Sequence, residues 1–148
     1  MKTYLSIIIA ALVGEYLIRC LTRYFNLKAM APDLPAEFDG FYDQEQYRKS
    51  QQYTRANTKF AYVSSSISLI VMLVFILMGG FNVLDVFVRS FELSPIPSGL
   101  IFFVILFLAS DWLSLPFSLY NTFVIEERFG FNQTTIRTFI LDKLKTYF

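Results

Sequence analysis

The chain of 148 residues is 55% hydrophobic and 17% charged, with a mean hydropathy of +0.47, whereas soluble domains run about 45–50% apolar and about 25% charged. That is more apolar surface than one small soluble core can bury, so a bilayer is the expected solvent for much of it. A net charge of +1 gives no global field for nucleic acid. The lone Cys20 excludes an intrachain disulfide and any cysteine-rich metal site, and the lack of any His excludes a His-ligated zinc, a Ser-His-Asp triad and a Cys-His pair within this chain.

The first apolar segment, at about 4–21, is predicted to be a retained membrane helix. Lys2 suits the basic start of a signal peptide, but no A-x-A-like cleavage site follows, and the apolar pattern continues through Tyr16, Leu17 and Ile18. Glu15 and Arg19 are four apart with the acid first, which puts them on one helical face as an ion pair. Charges at this depth should pair, or face protein or water rather than lipid. The polar stretch 22–59 reads as a loop holding Pro32, Pro35 and Gly40. It leads into a helix that opens near Asp43 and runs on into the membrane, with Tyr47, Tyr53 and Phe60 as an intermittent apolar stripe.

The second membrane segment, 60–81, has no charge before its end, and its ~22 residues at ~1.5 Å each cross ~30 Å of hydrocarbon. Ser64, Ser65, Ser66 and Ser68 allow close helix packing at one end, and Gly79-Gly80 is a plausible stop. The stretch 82–97, with Asp85, Arg89, Glu92 and Pro95-Ile-Pro97, reads as a connection. The third membrane segment is 98–120, where Pro116 predicts a kink or a helix end. An amphipathic helix at about 133–147 closes the chain, with Ile136, Phe139, Ile140 and Leu144 at helical spacing and Asn132 or Thr134 as its cap. The expected fold class is therefore all-α: a multi-pass transmembrane domain of three membrane helices plus cytoplasmic amphipathic helices.

Basic residues set orientation. Arg23, Lys28, Arg48, Lys49, Arg55 and Lys59 mark the first loop, Arg89 alone the second, and Arg128, Arg137, Lys143 and Lys145 the C-terminal stretch. The N-terminus is then outside, the first loop inside, the second loop outside and the C-terminal stretch inside, with Lys2 weakly opposed.

Asp111, beside Trp112, is the sharpest isolated candidate. A carboxylate near a membrane helix end either lines an aqueous path or partners a neighbouring helix, and in the second case Asn in its place is tolerated. Glu126 and Glu127 are adjacent. Neighbouring positions on a helix diverge by about 100°, so salt bridges or capping suit them better than a catalytic pair. Gly130 between Phe129 and Phe131 marks a tight turn whose backbone Asn132 can satisfy. Asn132-Gln-Thr134 fits a glycosylation acceptor, but its expected inner side argues against that use. No phosphate-binding loop or nucleic-acid motif is present, and no residue here is assigned a metal or a catalytic role.

Taken together, LPFSLYNTFVIEERFGFNQT at 115–134 is far more specific than its parts. It closely resembles the N-terminal membrane region of CAAX prenyl proteases, integral-membrane zinc metallopeptidases, whose pattern there reads approximately L-P-F-x-x-Y-x-T-F-V-I-E-x-x-F-G-F-N-x-T. TFILDKLK at 138–145 looks like its continuation, and SQQYT at 50–54 with Lys59-Phe60 is similar to the family's first-loop stretch. The resemblance covers roughly 41–145. It implies an α-helical protein with seven membrane helices around a water-filled chamber, and a zinc site built from an H-E-x-x-H helix and a later Glu. None of those residues occurs in this chain, so none is carried over.

The resemblance makes the chain an N-terminal domain, or a truncated form, that is inactive alone. Zinc and peptide hydrolysis are then expected from the rest of a longer protein. Expected partners are the bilayer, that protein's catalytic region and a peptide or protein substrate, which need not be prenylated. The motif residues Pro116, Tyr120, Glu126, Gly130, Phe131 and Asn132 acquire a structural or substrate-facing role. The plain N-terminus suggests a bacterial inner membrane. The competing readings are a non-enzymatic membrane scaffold or partner-binding module, and a transporter or channel fragment using Asp111 and the Glu15–Arg19 pair.

Overall fold

The structure is a computed structural model and describes residues 2–30 and 43–147. The expected loop prolines Pro32 and Pro35, Gly40 and the start of the family stretch near 41 lie outside the described residues. Within them the chain is all-α: α1 (Lys2–Ala29), α2 (Gln44–Leu77), α3 (Gly80–Arg89), α4 (Pro95–Tyr120), a π-helical segment Asn121–Glu126, and α5 (Ile136–Lys145). Three stretches are long and apolar enough to cross a membrane: Thr3–Ala29, Gln44–Leu77 and Pro95–Glu126. This matches the three expected spans in number, with boundaries moved outwards except at the end of the second, which stops at Leu77 and not at 81.

α1 runs on through 22–29, which the sequence suggested was the start of a loop. The added turns are polar, but they pack. The Arg23 guanidinium donates to Ala61 O at 3.0 Å and to Ser65 Oγ at 2.8 Å, and stands 5.8 Å over the Tyr62 ring. Tyr62 in turn donates its hydroxyl to Cys20 O at 2.9 Å, and Tyr16 and Ser66 share a hydroxyl hydrogen bond of 2.7 Å. Residues 16, 20 and 23 thus meet 66, 62 and 61, so α1 and α2 are antiparallel along a polar seam. Such bonds suit a membrane interior, where no water competes for them. The serines near the start of the second span allow this approach as expected; Ser65 and Ser66 also donate back to Ala61 O and Tyr62 O.

α2 is continuous from its charged N-terminal half into the membrane span, as predicted. Asp43 caps it by accepting the Glu45 N–H at 3.0 Å. It ends at Leu77, before the two glycines. Gly79 takes a left-handed φ of 72° and begins a new helix instead of merely closing the old one. That helix, α3, replaces most of the expected connection. Val88 is 2% exposed, while Asp85 and Arg89 form an exposed i,i+4 ion pair at 2.8 Å. α4 then starts at Pro95, where proline is tolerated because first-turn N–H groups lack helical partners anyway.

Pro116 does not end α4. The helix continues to Tyr120, and the hydrogen-bond register then widens into the π segment. α5 begins at Ile136, later than expected, because Thr135 is its cap: the Thr135 hydroxyl accepts the Thr138 N–H at 3.2 Å. Neither Asn132 nor Thr134 fills that role. α5 runs back along α4, with Phe139 against Phe123 and Tyr147 against Phe107 at ring separations of 5.7 and 6.4 Å.

Little of this is a core in the soluble sense. Among the described residues, the buried hydrophobic ones are Val88, Ile125 and Phe129, and of these only Ile125, at the end of the third stretch, lies in a candidate span. The chain exposes 11515 Å², against about 7,800 Å² for a compact soluble protein of this mass.

Candidate functional site

The motif at 115–134 folds into one capped turn at the end of α4. After the π segment the chain stays helical through Arg128, then reverses at Gly130, whose φ is 69°. Phe131 N donates to Glu126 O at 2.9 Å and Gly130 N to Glu127 O at 3.0 Å. This is the paired 6→1 and 5→2 closure of a Schellman cap, with glycine at the left-handed position. Asn132 secures the exit. Its amide nitrogen donates to Glu127 Oε2 at 2.8 Å, and its oxygen accepts the Thr134 N–H at 2.7 Å.

The two adjacent glutamates do not converge. Glu127 holds Asn132, whereas Glu126 Oε1 accepts from Asn121 Nδ2 at 3.0 Å across the π segment. Each carboxylate braces a different neighbour, and no atom lies between them for a shared reaction.

The turn is docked on α2 by aromatic rings. Tyr53 packs edge-on against Phe129 and Phe131, with centroids 5.7 and 4.9 Å away, and the Lys49 ammonium lies 5.6 Å from the Phe131 ring centre. One level further in, Phe60 stacks on Tyr120 at 4.9 Å and touches Phe117 at 6.3 Å. Edge-on aromatic pairs of this kind are worth ~0.5–1.5 kcal/mol each beyond burial. The sequence reading named Tyr53 and Phe60 as a stripe but not their partners, and Lys49 carried no signal of its own.

The intramembrane charges lie elsewhere. Asp111 on α4 accepts from the Lys143 ammonium, on α5, and from the Tyr147 hydroxyl, in the turn just past the end of α5. Both donors converge on the one carboxylate, one to each oxygen. The sequence singled out Asp111 but neither of these partners. Glu15 and Arg19 form the ion pair expected from their spacing, at 2.5 and 3.0 Å, with both side chains more than half exposed. They border a groove of about 340 Å³ shared with Tyr16, Ser64 and Ser68. A wider groove of about 650 Å³ runs between α2 and α4, lined by Ser64 and Ser68 on one side and Ser110, Ser114 and Ser118 on the other. Pro116 belongs to α4 beside that groove.

Among the described residues no three His, Cys, Asp or Glu groups are close enough to hold a metal ion. The arrangement can pack helices, brace a turn and present grooves.

Comparison with known proteins gives this arrangement a context. Residues 23–148 match the family described as "CAAX prenyl protease N-terminal, five membrane helices". A CAAX prenyl protease 1 homolog of Mus musculus is 34% identical over 77% of this chain and 26% of its own length. The CAAX prenyl protease 1 of Saccharomyces cerevisiae is 33% identical over 76% of the chain and 27% of its own length. The crystal structure of S. mikatae Ste24p superposes with a TM-score of 0.80 at 30% identity, covering 96% of this chain and 35% of that one. The chain thus spans about a quarter to a third of the length of these relatives.

Proposed function

Because this chain belongs to the CAAX prenyl protease N-terminal family, we propose that it supplies part of the wall of an intramembrane protease chamber, with the turn at 126–132 facing the peptide substrate. The observation that carries this reading is the superposition on Ste24p over nearly the whole chain. CAAX prenyl proteases are zinc metalloproteases. The residues present here do not fit zinc: there is no His, one Cys, and no ligand cluster among the described residues. Zinc binding and water activation are therefore assigned to parts of the protein outside this chain, and no step is derived through them.

The chain is an integral membrane protein by its three candidate spans. The bacterial inner membrane expected from the N-terminus gains no support, since the matching relatives are eukaryotic. The proposed orientation keeps the turn and the N-terminal half of α2 on the inner side, where Arg48, Lys49, Arg55 and Lys59 cluster. The catalytic region of the same protein and a peptide substrate are the proposed partners. Nothing favours transport, because Asp111 is occupied by Lys143 and Tyr147.

Glu126→Ala and Asn132→Ala in the complete protein test the substrate-facing role. A raised KM for peptide cleavage at unchanged thermal stability supports it. Unchanged cleavage with unchanged folding removes it. A loss of stability alone leaves the turn as a packing lock.

A further inference from the structure

A third concave site sits where α2 and the end of α4 leave the apolar zone. It has a volume of about 480 Å³ and is lined by Lys59, Phe60 and Val63 of α2 and by Tyr120, Val124 and Arg128 from the other side. Its two cations are not engaged with acids. Lys59 has no hydrogen-bond or ion-pair partner among the described residues, and the one contact of Arg128 described is the face of its neighbour Phe129, 5.8 Å away.

Their level in the membrane is set by the chain itself. Lys59 is the last charge before the uncharged run of α2, and Arg128 is the first cation after the Pro95–Glu126 span, following Glu126 and Glu127, whose carboxylates accept from Asn121 and Asn132. Both therefore stand at the same edge of the hydrocarbon. Lys59 also leans toward that edge, because helical side chains tilt toward the helix N-terminus, and its long stem can reach the interface. Below the cations the groove turns apolar: Val63 is 55% and Val124 45% exposed. The Phe60–Tyr120 stack forms its floor.

We propose that this groove binds one anionic phospholipid, its phosphate between Lys59 and Arg128 and an acyl chain along Val63 and Val124. Charge complementarity identifies the occupant. Two unneutralised cations at headgroup depth above an apolar track match a phosphate joined to a hydrocarbon tail, and basic pockets between membrane helices hold such headgroups. A peptide carboxylate matches the cations but not the track. The inference depends on the spans crossing a bilayer and is independent of any substrate-facing role for the turn.

The test is native mass spectrometry of the full-length protein in detergent, titrated with phosphatidylglycerol or phosphatidylcholine. The proposal expects a preference of roughly tenfold or more for phosphatidylglycerol. It expects that preference to vanish in Lys59→Gln/Arg128→Gln and to persist in Lys59→Arg/Arg128→Lys. Val124→Trp, which fills the track and leaves both charges, should abolish it too. Equal binding of the two lipids, or a preference surviving in the Gln pair or in Val124→Trp, overturns the proposal. So does displacement of bound lipid by inorganic phosphate alone or by a short peptide with a free C-terminal carboxylate.

Discussion

Asp111 shows how a charge survives inside a membrane span. Its two oxygens are taken by Lys143 and Tyr147, so the carboxylate is neutralised and hydrogen-bonded at once. Asp111→Asn keeps an acceptor for Tyr147 and should fold. Asp111→Leu strands an ammonium against the helix and should lower the unfolding temperature in detergent. Combined with Lys143→Met, the Leu variant should lose less than the sum of the two single losses, because the stranded charge is gone. Additive losses would show that the pair does not interact.

The same contact has a pH signature. The Asp111 carboxylate accepting its proton, aided by burial, holds the Tyr147 phenol above its ordinary value. A raised folded pKa means that the folded state keeps its proton longer than the unfolded one. This contribution is then complete below about pH 10 and is lost as pH rises through the folded value. Stability measured from pH 9 upward should fall less steeply in Tyr147→Phe than in the parent. Identical slopes would refute the contact.

At the scale of elements, the α1–α2 seam and the motif turn carry the architecture. Arg23→Met retains the aliphatic stem and removes two hydrogen bonds from a charged donor. A loss of about 1.5–3 kcal/mol is expected in a reversible unfolding titration. Gly130→Ala places a methyl group 3.4 Å from Lys49 Nζ and forces a non-glycine residue to a φ of 69°, which should cost about 1–2 kcal/mol. A neutral result in the same titration would mean that the turn relaxes to another shape.

These elements also mark what the sequence could disclose. Apolar run length revealed the spans, and i,i+4 spacing revealed Glu15–Arg19, because both signals are local. The extension of α1 through Arg23 was hidden: a polar turn reads as loop until its partner helix is known. α3 was hidden because two glycines and a mixed ten-residue segment resemble a connection. Only the left-handed geometry at Gly79 turns one helix into the next. The cap of α5 went to Thr135 because Asn132, a better capping residue in isolation, was already committed to Glu127 and Thr134. The motif's specificity was legible as a family pattern. Its meaning, a Schellman closure seated on Tyr53 and Lys49, required the fold.

At the scale of the whole molecule, the helices place their apolar surface outward. Phe103, Ile70 and Ile18 are 69%, 58% and 66% exposed, and each lies in a candidate span. In water such side chains would drive aggregation; in a bilayer they contact hydrocarbon. The seam, the docked turn, the proposed chamber wall and the phospholipid groove all presuppose that solvent. The most direct measurement is alkaline carbonate extraction of membranes from cells expressing the chain, followed by detergent. The protein should stay in the membrane pellet through the carbonate wash and enter solution only with detergent. Release by carbonate as a monodisperse monomer, stable without detergent, would contradict the account.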